Sequence, residues 1–202
     1  MHNNERSLGI IYINIKGVFL MKAVVYYDTK DVRIEEVEEP KVQDGLVKVK
    51  VAWTGICGTD LHEYLGGPIF IPGDEPNPIT GQERPVVMGH EFSGVIEELG
   101  EGVEGLNVGD KVCVNPALTN NLHPNPLYDF YKEGTFIGLG CDGAFADYVV
   151  VPKENIVKLQ DSTSLKIGAL VTQQLLRYKR FVNLKWNLQS LLRFTVQDQL
   201  VS

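Results

Sequence analysis

Three side chains in two short stretches, Cys57 in GICGTDLHEY and His90 with Glu91 in MGHEFSG, are of the types that hold a metal ion. A thiolate, an imidazole and a carboxylate are ligands that zinc accepts, and three protein ligands with a fourth position left for water or substrate is the pattern of a catalytic site. The separation of the two stretches means that only a fold can bring them together. The His-Glu pair alone is a weak signal. The helical zinc-protease motif needs a second histidine four residues on, and that position is Gly94, which excludes the class. Taken singly, Cys57 also reads as a small buried hydrophobe and His90 as a satisfied turn histidine.

A second motif, FIGLGCDGAF at 136–145, spells G-x-G-x-x-G at Gly138, Gly140 and Gly143. A dinucleotide-binding turn of that spelling comes after a strand, opens a helix and is answered by an acid about twenty residues on. Asp161 lies eighteen residues after Gly143, but the last glycine runs directly into AFADYVVVP, a strand stopped by Pro152. No helix N-terminus is offered to a pyrophosphate. The glycines read as a flexible bend leading into a strand, and no cofactor-binding residues are expected here.

The elements that must position these residues are strands. MKAVVYY, LVKVKVAWTGI, FSGVIEEL, DKVCVNP and FADYVVVP are rich in Val, Tyr and Phe, partly alternate, and are bounded by Gly, Asp or Pro. All ten prolines and eighteen of the 20 glycines fall within 21–171, which marks that span as the globular part. GGPIFIPGDEPNPITGQERP, 66–85, holds five prolines and reads as a long surface loop near the site, and NPALTNNLHPNPLYDFY reads as another. At 202 residues, 44% hydrophobic and 22% charged, the chain is long enough to bury a core. Its net charge of -7, with no dense basic patch, argues against a nucleic-acid partner. No stretch reaches the roughly 18 apolar residues of a membrane span. Three scattered cysteines, Cys57, Cys113 and Cys141, point to a reducing cytoplasm rather than a disulfide framework. From 172 on there is no Gly, Pro or Ala, and the charge is +4 against -11 before it. Phe181, Leu184, Leu188, Leu191 and Leu192 recur at helical spacing, so a short amphipathic helix or an ill-packed tail is expected.

The spacing G-H-E-x-x-G-x5-G-x-x-V, at Gly89, His90, Glu91, Gly94, Gly100 and Val103, resembles the signature of zinc-containing medium-chain alcohol dehydrogenases. MKAVVYY, GICGTDLHEY, VGDKV, GAFADYVVVP and KLQDSTSLKIGALV look like consecutive landmarks of that family, in order, over 21–171. LHEYLGGPIFIP and the Pro-rich insertion after it are most similar to the bacterial 2,3-butanediol dehydrogenase branch, related to sorbitol dehydrogenases. The resemblance implies a mainly β fold, a GroES-like distorted β-barrel without a complete Rossmann domain, forming a catalytic domain at 21–171. It implies that Cys57, His90 and Glu91 bind one catalytic zinc and that Asp60 orients the zinc-bound imidazole. It further implies that Thr59 passes the substrate's hydroxyl proton outward and that His62 carries it to solvent. Without the resemblance, Thr59 reads as a turn-capping hydroxyl and His62 as a surface histidine. The implied reaction is NAD-linked oxidation of a small secondary alcohol or diol, 2,3-butanediol to acetoin and back, in cytoplasmic homo-oligomers.

The chain also departs from the family. Cys113 and Cys141, 28 positions apart, cannot replace the four close cysteines of its structural zinc, so no structural zinc is expected. Thr172-Gln173 stands where the family has Glu-Pro, which removes a further zinc ligand. Only 31 unrelated residues remain beyond 171, too few for a doubly wound NAD domain, so 172–202 reads as the product of a frameshift or truncation. On that reading the chain alone is inactive, and it is prone to association through the face the missing domain would cover. Residues 1–20 read as a misassigned extension, because Met21 opens the family's first strand and Lys16-Gly17-Val18 is encodable by a purine-rich ribosome-binding sequence. A zinc-free quinone-reductase-like relative and a non-catalytic remnant or binding domain are the other readings of the same fold.

Overall fold

A computed structural model describes residues 18–119 and 134–171. In chain order the strands are β1 (Leu20–Asp28), β2 (Asp31–Glu38), β3 (Leu46–Gly55), β4 (Val86–Val87), β5 (Glu91–Leu99), β6 (Lys111–Val114), β7 (Ala117–Leu118), β8 (Thr135–Phe136), β9 (Tyr148–Pro152) and β10 (Ile156–Lys158). Helix α1 (Gly58–Gly66) comes after β3, and residues 165–171 are also helical. The fold is mainly β, as the alternating apolar runs require. Along β1, for example, Met21, Ala23 and Val25 are buried while Lys22 is exposed.

Five strands form one antiparallel sheet in the order β10-β6-β5-β3-β9, three form a second in the order β2-β1-β4, and β7 pairs with β8. Val47 and Val49 of β3, Phe92 and Ile96 of β5, Val112 and Val114 of β6, and Val149 and Val151 of β9 make one buried cluster with Ile137 and Ala144. Burying each large side chain of this kind stabilises by about 1.5–3 kcal/mol, so the cluster holds β3, β5, β6 and β9 together. Register shifts between Lys48 and Val49, and between Val51 and Trp53, bend the β3/β5 pair. The far end of β3 then leaves the core, with Trp53 and Ile56 exposed. Residues 143–147 join the two sheets: Val24 N–H donates to the Phe145 carbonyl at 2.8 Å, Ala23 bridges Ala146, and Val51 N–H donates to the Asp147 carbonyl at 2.9 Å.

The five strands read from the sequence are all present. β2 was not anticipated, because DVRIEEVE is charged and lies at a sheet edge with no residue fully buried. The Pro-rich stretch has no helix or strand between Gly67 and Pro85, although Ile71 and Asn77 within it are buried. The readings of an N-terminal extension (apart from 18–20), of most of the second loop, and of the tail at 172–202 fall outside the described residues. None of the described helices is long and apolar enough to cross a membrane.

Candidate metal centre

Cys57 is the N-cap of α1, held in extended conformation just before the first turn. Its backbone N–H donates to Asp60 Oδ2 at 2.8 Å, so the carboxylate satisfies a donor that the helix start leaves open. A negative group in the first turn also complements the helix dipole. Cys57, Asp60 and Glu63 recur at three-residue intervals and so share one face, on which Asp60 and Glu63 are buried. The Thr59 hydroxyl lies 3.7 Å from the Cys57 sulfur, and His62 is exposed.

His90 and Glu91 stand at the start of β5, and the glycine-rich segment fixes the backbone leading to them. Gly89 adopts φ 100, and a Cβ there would lie 2.6 Å from the Phe145 nitrogen. A Cβ on Gly138 or Gly143 would come within 2.2 or 2.3 Å of the Gly89 carbonyl oxygen. Gly143, Ala144 and Phe145 N–H groups donate to the carbonyls of Val87, Gly89 and Met88 at 2.8, 2.9 and 2.8 Å. The expected flexible bend is therefore a close-packed strap. Its glycines are needed for backbone-to-backbone contact with the residues that carry His90, and it does lead into strand β9.

The two stretches converge. The ligand atoms of Cys57, His90 and Glu91 all lie within 4.8 Å of one another, a separation that an ion with ligand bonds of about 2.0–2.3 Å closes with a small inward movement. His90 is 3% exposed and Glu91 1%, while Cys57 is half-buried, so the constellation opens to solvent on the side of Cys57. His90 Nδ1 lies 3.3 Å from Asp60 Oδ1, yet neither atom has an aligned hydrogen-bond partner, and both are buried. A metal on the other ring nitrogen would fix a proton on Nδ1, the atom facing Asp60, and so satisfy both atoms. The donor set and this orphaned pair fit zinc. Of the other two thiols, Cys113, in β6, is buried and Cys141 is half-buried, and desolvation pushes the pKa of both up to about 12.

Residues 43–161 match the alcohol dehydrogenase GroES-like domain. The chain belongs to this family. (R,R)-butanediol dehydrogenase of Bacillus subtilis (strain 168) is 53% identical over 152 residues, which cover 75% of this chain and 44% of that protein. The crystal structure of 2R,3R-butanediol dehydrogenase from Bacillus subtilis superposes with a TM-score of 0.75 at 49% identity, covering 82% of this chain and 48% of that one. A cobalt- and zinc-bound thermostable alcohol dehydrogenase from Pyrobaculum aerophilum matches with a TM-score of 0.62 at 28% identity, over 76% of this chain and 45% of its own. The chain thus spans less than half the length of these relatives. The GroES-like fold and the dehydrogenase kinship read from the order of landmarks are both shown.

Within this alcohol dehydrogenase domain, two aromatic rings that the sequence did not single out stand beside the constellation. Phe136 has its ring centroid 6.2 Å from that of His90, and Phe70 meets Phe136 edge-on at 5.9 Å. Phe70 comes from the Pro-rich loop, whose nearness to the site was the only signal that could have found it.

Proposed function

We propose that the chain supplies the zinc-holding catalytic half of an NAD-linked dehydrogenase acting on small secondary alcohols or diols, of which 2,3-butanediol is the type. The observation that carries this reading is the convergence of Cys57, His90 and Glu91, with Asp60 against the His90 ring. In this reading those three side chains hold one zinc ion. When bound, the zinc supplies Lewis acidity toward the substrate hydroxyl, and a nicotinamide supplies the hydride acceptor. Asp60 holds the His90 imidazole and at the same time caps α1, so ligand and helix are positioned together. Thr59, whose hydroxyl lies beside the Cys57 sulfur, takes the proton that the alcohol loses. His62, one turn further along α1 and exposed, passes that proton to solvent. Kinship with the butanediol dehydrogenases supports the substrate class.

Cobalt substitution tests the reading on the chain as it stands. The cobalt-loaded protein should show a thiolate-to-cobalt absorption that Cys57→Ser abolishes, and 2,3-butanediol should shift its visible bands. A cobalt spectrum without thiolate character, or one indifferent to the diol, would refute it.

A further inference from the structure

Glu63 is 0% exposed, and the structure gives both of its carboxylate oxygens backbone partners. Oε2 accepts from the Ile69 N–H at 2.8 Å and Oε1 from the Phe70 N–H at 2.7 Å. A buried carboxylate is tolerated only when such bonds replace its water. The same residue's carbonyl accepts the Gly67 N–H at 2.9 Å, and a Cβ on Gly67 would lie 2.6 Å from Glu63 Oε2. The Thr29 hydroxyl donates to the Gly67 carbonyl, so the first turn of the Pro-rich loop is clamped from two sides.

The clamped residues are apolar and lie outside the core. Ile69 is 57% exposed and Phe70 46%, yet Phe70 stands edge-on to Phe136, which neighbours His90. An apolar ring pair standing beside a polar constellation is suited to the apolar part of a ligand. Helix α1 then carries on one face the thiol Cys57, the carboxylate facing His90, and the carboxylate that sets this ledge.

We propose that Glu63 is a positioning residue for substrate recognition: it holds the 69–70 backbone so that Phe70 and Phe136 form an apolar ledge beside His90, suited to alcohols with short alkyl arms rather than polyols. The proposal rests on the metal-centre reading for its substrate and stands apart from it for the clamp. In the metal-free full chain, amide exchange at Ile69 and Phe70 should quicken about tenfold or more in Glu63→Ala and by less in Glu63→Gln, which keeps one carbonyl acceptor. Unchanged exchange in Glu63→Gln and Glu63→Ala overturns the clamp, and Glu63→Gln alone decides if the alanine variant does not fold. In the cobalt-loaded chain labelled with 4-fluorophenylalanine, the Phe70 resonance, assigned through Phe70→Leu, should be shifted by the metal and should respond to 2,3-butanediol but not to sorbitol. Glu63→Ala should abolish that shift while the cobalt-thiolate absorption persists. A Phe70 resonance indifferent to cobalt, or an equal response to both alcohols, overturns the ledge. Absence of the thiolate absorption in the unmutated chain would contradict the metal reading, and the exchange result would still decide the clamp.

Discussion

Cys57 is the only one of the three ligand-type side chains that solvent reaches, whereas burial pushes Cys113 and Cys141 up to about 12. Near pH 8 a thiol of that kind is ionised in only about one molecule in ten thousand. Iodoacetamide should therefore label the metal-free chain at Cys57 alone, and zinc should protect that residue; peptide mass spectrometry would show it, and equal labelling of Cys113 would contradict it. Asp60→Asn retains an oxygen to cap α1 but removes the charge facing His90. It should weaken zinc binding by about 10–100-fold in chelator competition while the melting temperature changes little. The ligand types of Cys57, His90 and Glu91 were legible as chemistry, because thiol, imidazole and carboxylate are rare together. Glu63 was not, since a carboxylate in GTDLHEYLG looks like any solvated helix residue until the loop folds over it.

The glycine strap holds the backbone that leads into β5. Gly143→Ala would place a methyl group 2.3 Å from the Gly138 Cα and the Gly89 oxygen, both backbone, and should cost about 3 kcal/mol in urea unfolding, at the upper end of overpacking. Gly45, at φ 75 with open space around it, is the control: alanine there should cost only the left-handed penalty of about 1 kcal/mol. Asp142 in the same strap accepts the Val87 N–H at 2.8 Å, and although the residue as a whole is exposed, desolvation of its carboxyl raises its pKa. A carboxyl raised in the folded state opposes folding when ionised. Its penalty is present above the raised value and is relieved as pH falls toward the unfolded value near 3.8. Asp142→Asn keeps an oxygen for Val87, so its stability relative to the parent should be greatest at neutral pH and shrink on acidification, as paired thermal melts would reveal. The strands were legible from alternation. Helix α1 was not, because GTDLHEYLG begins and ends with glycine and its helical character comes from the Asp60 cap and the burial of Glu63.

The described residues form an antiparallel β framework whose two larger sheets are joined by the segment that also braces the metal centre. Its family was legible because the landmarks are turns and ligand stretches in fixed order, each constrained by backbone geometry rather than by general hydrophobicity. The role of the glycine motif was legible only in part: the strand after it ruled out a nucleotide turn, but contact between glycines separated by some fifty residues, Gly89 with Gly138 and Gly143, exists only in three dimensions. Trp53, Ile56, Ile167 and Leu170 leave sizeable apolar surface outside the core, with Lys166 lying 5.3 Å over the Trp53 ring. The measurement that bears most directly on the central claim is the metal content of the purified chain. One zinc per chain should be found, and it should be lost in both Cys57→Ser and His90→Ala variants that retain the parent's β-sheet circular dichroism. A folded chain that binds no zinc, or whose zinc survives the loss of Cys57, would contradict the account.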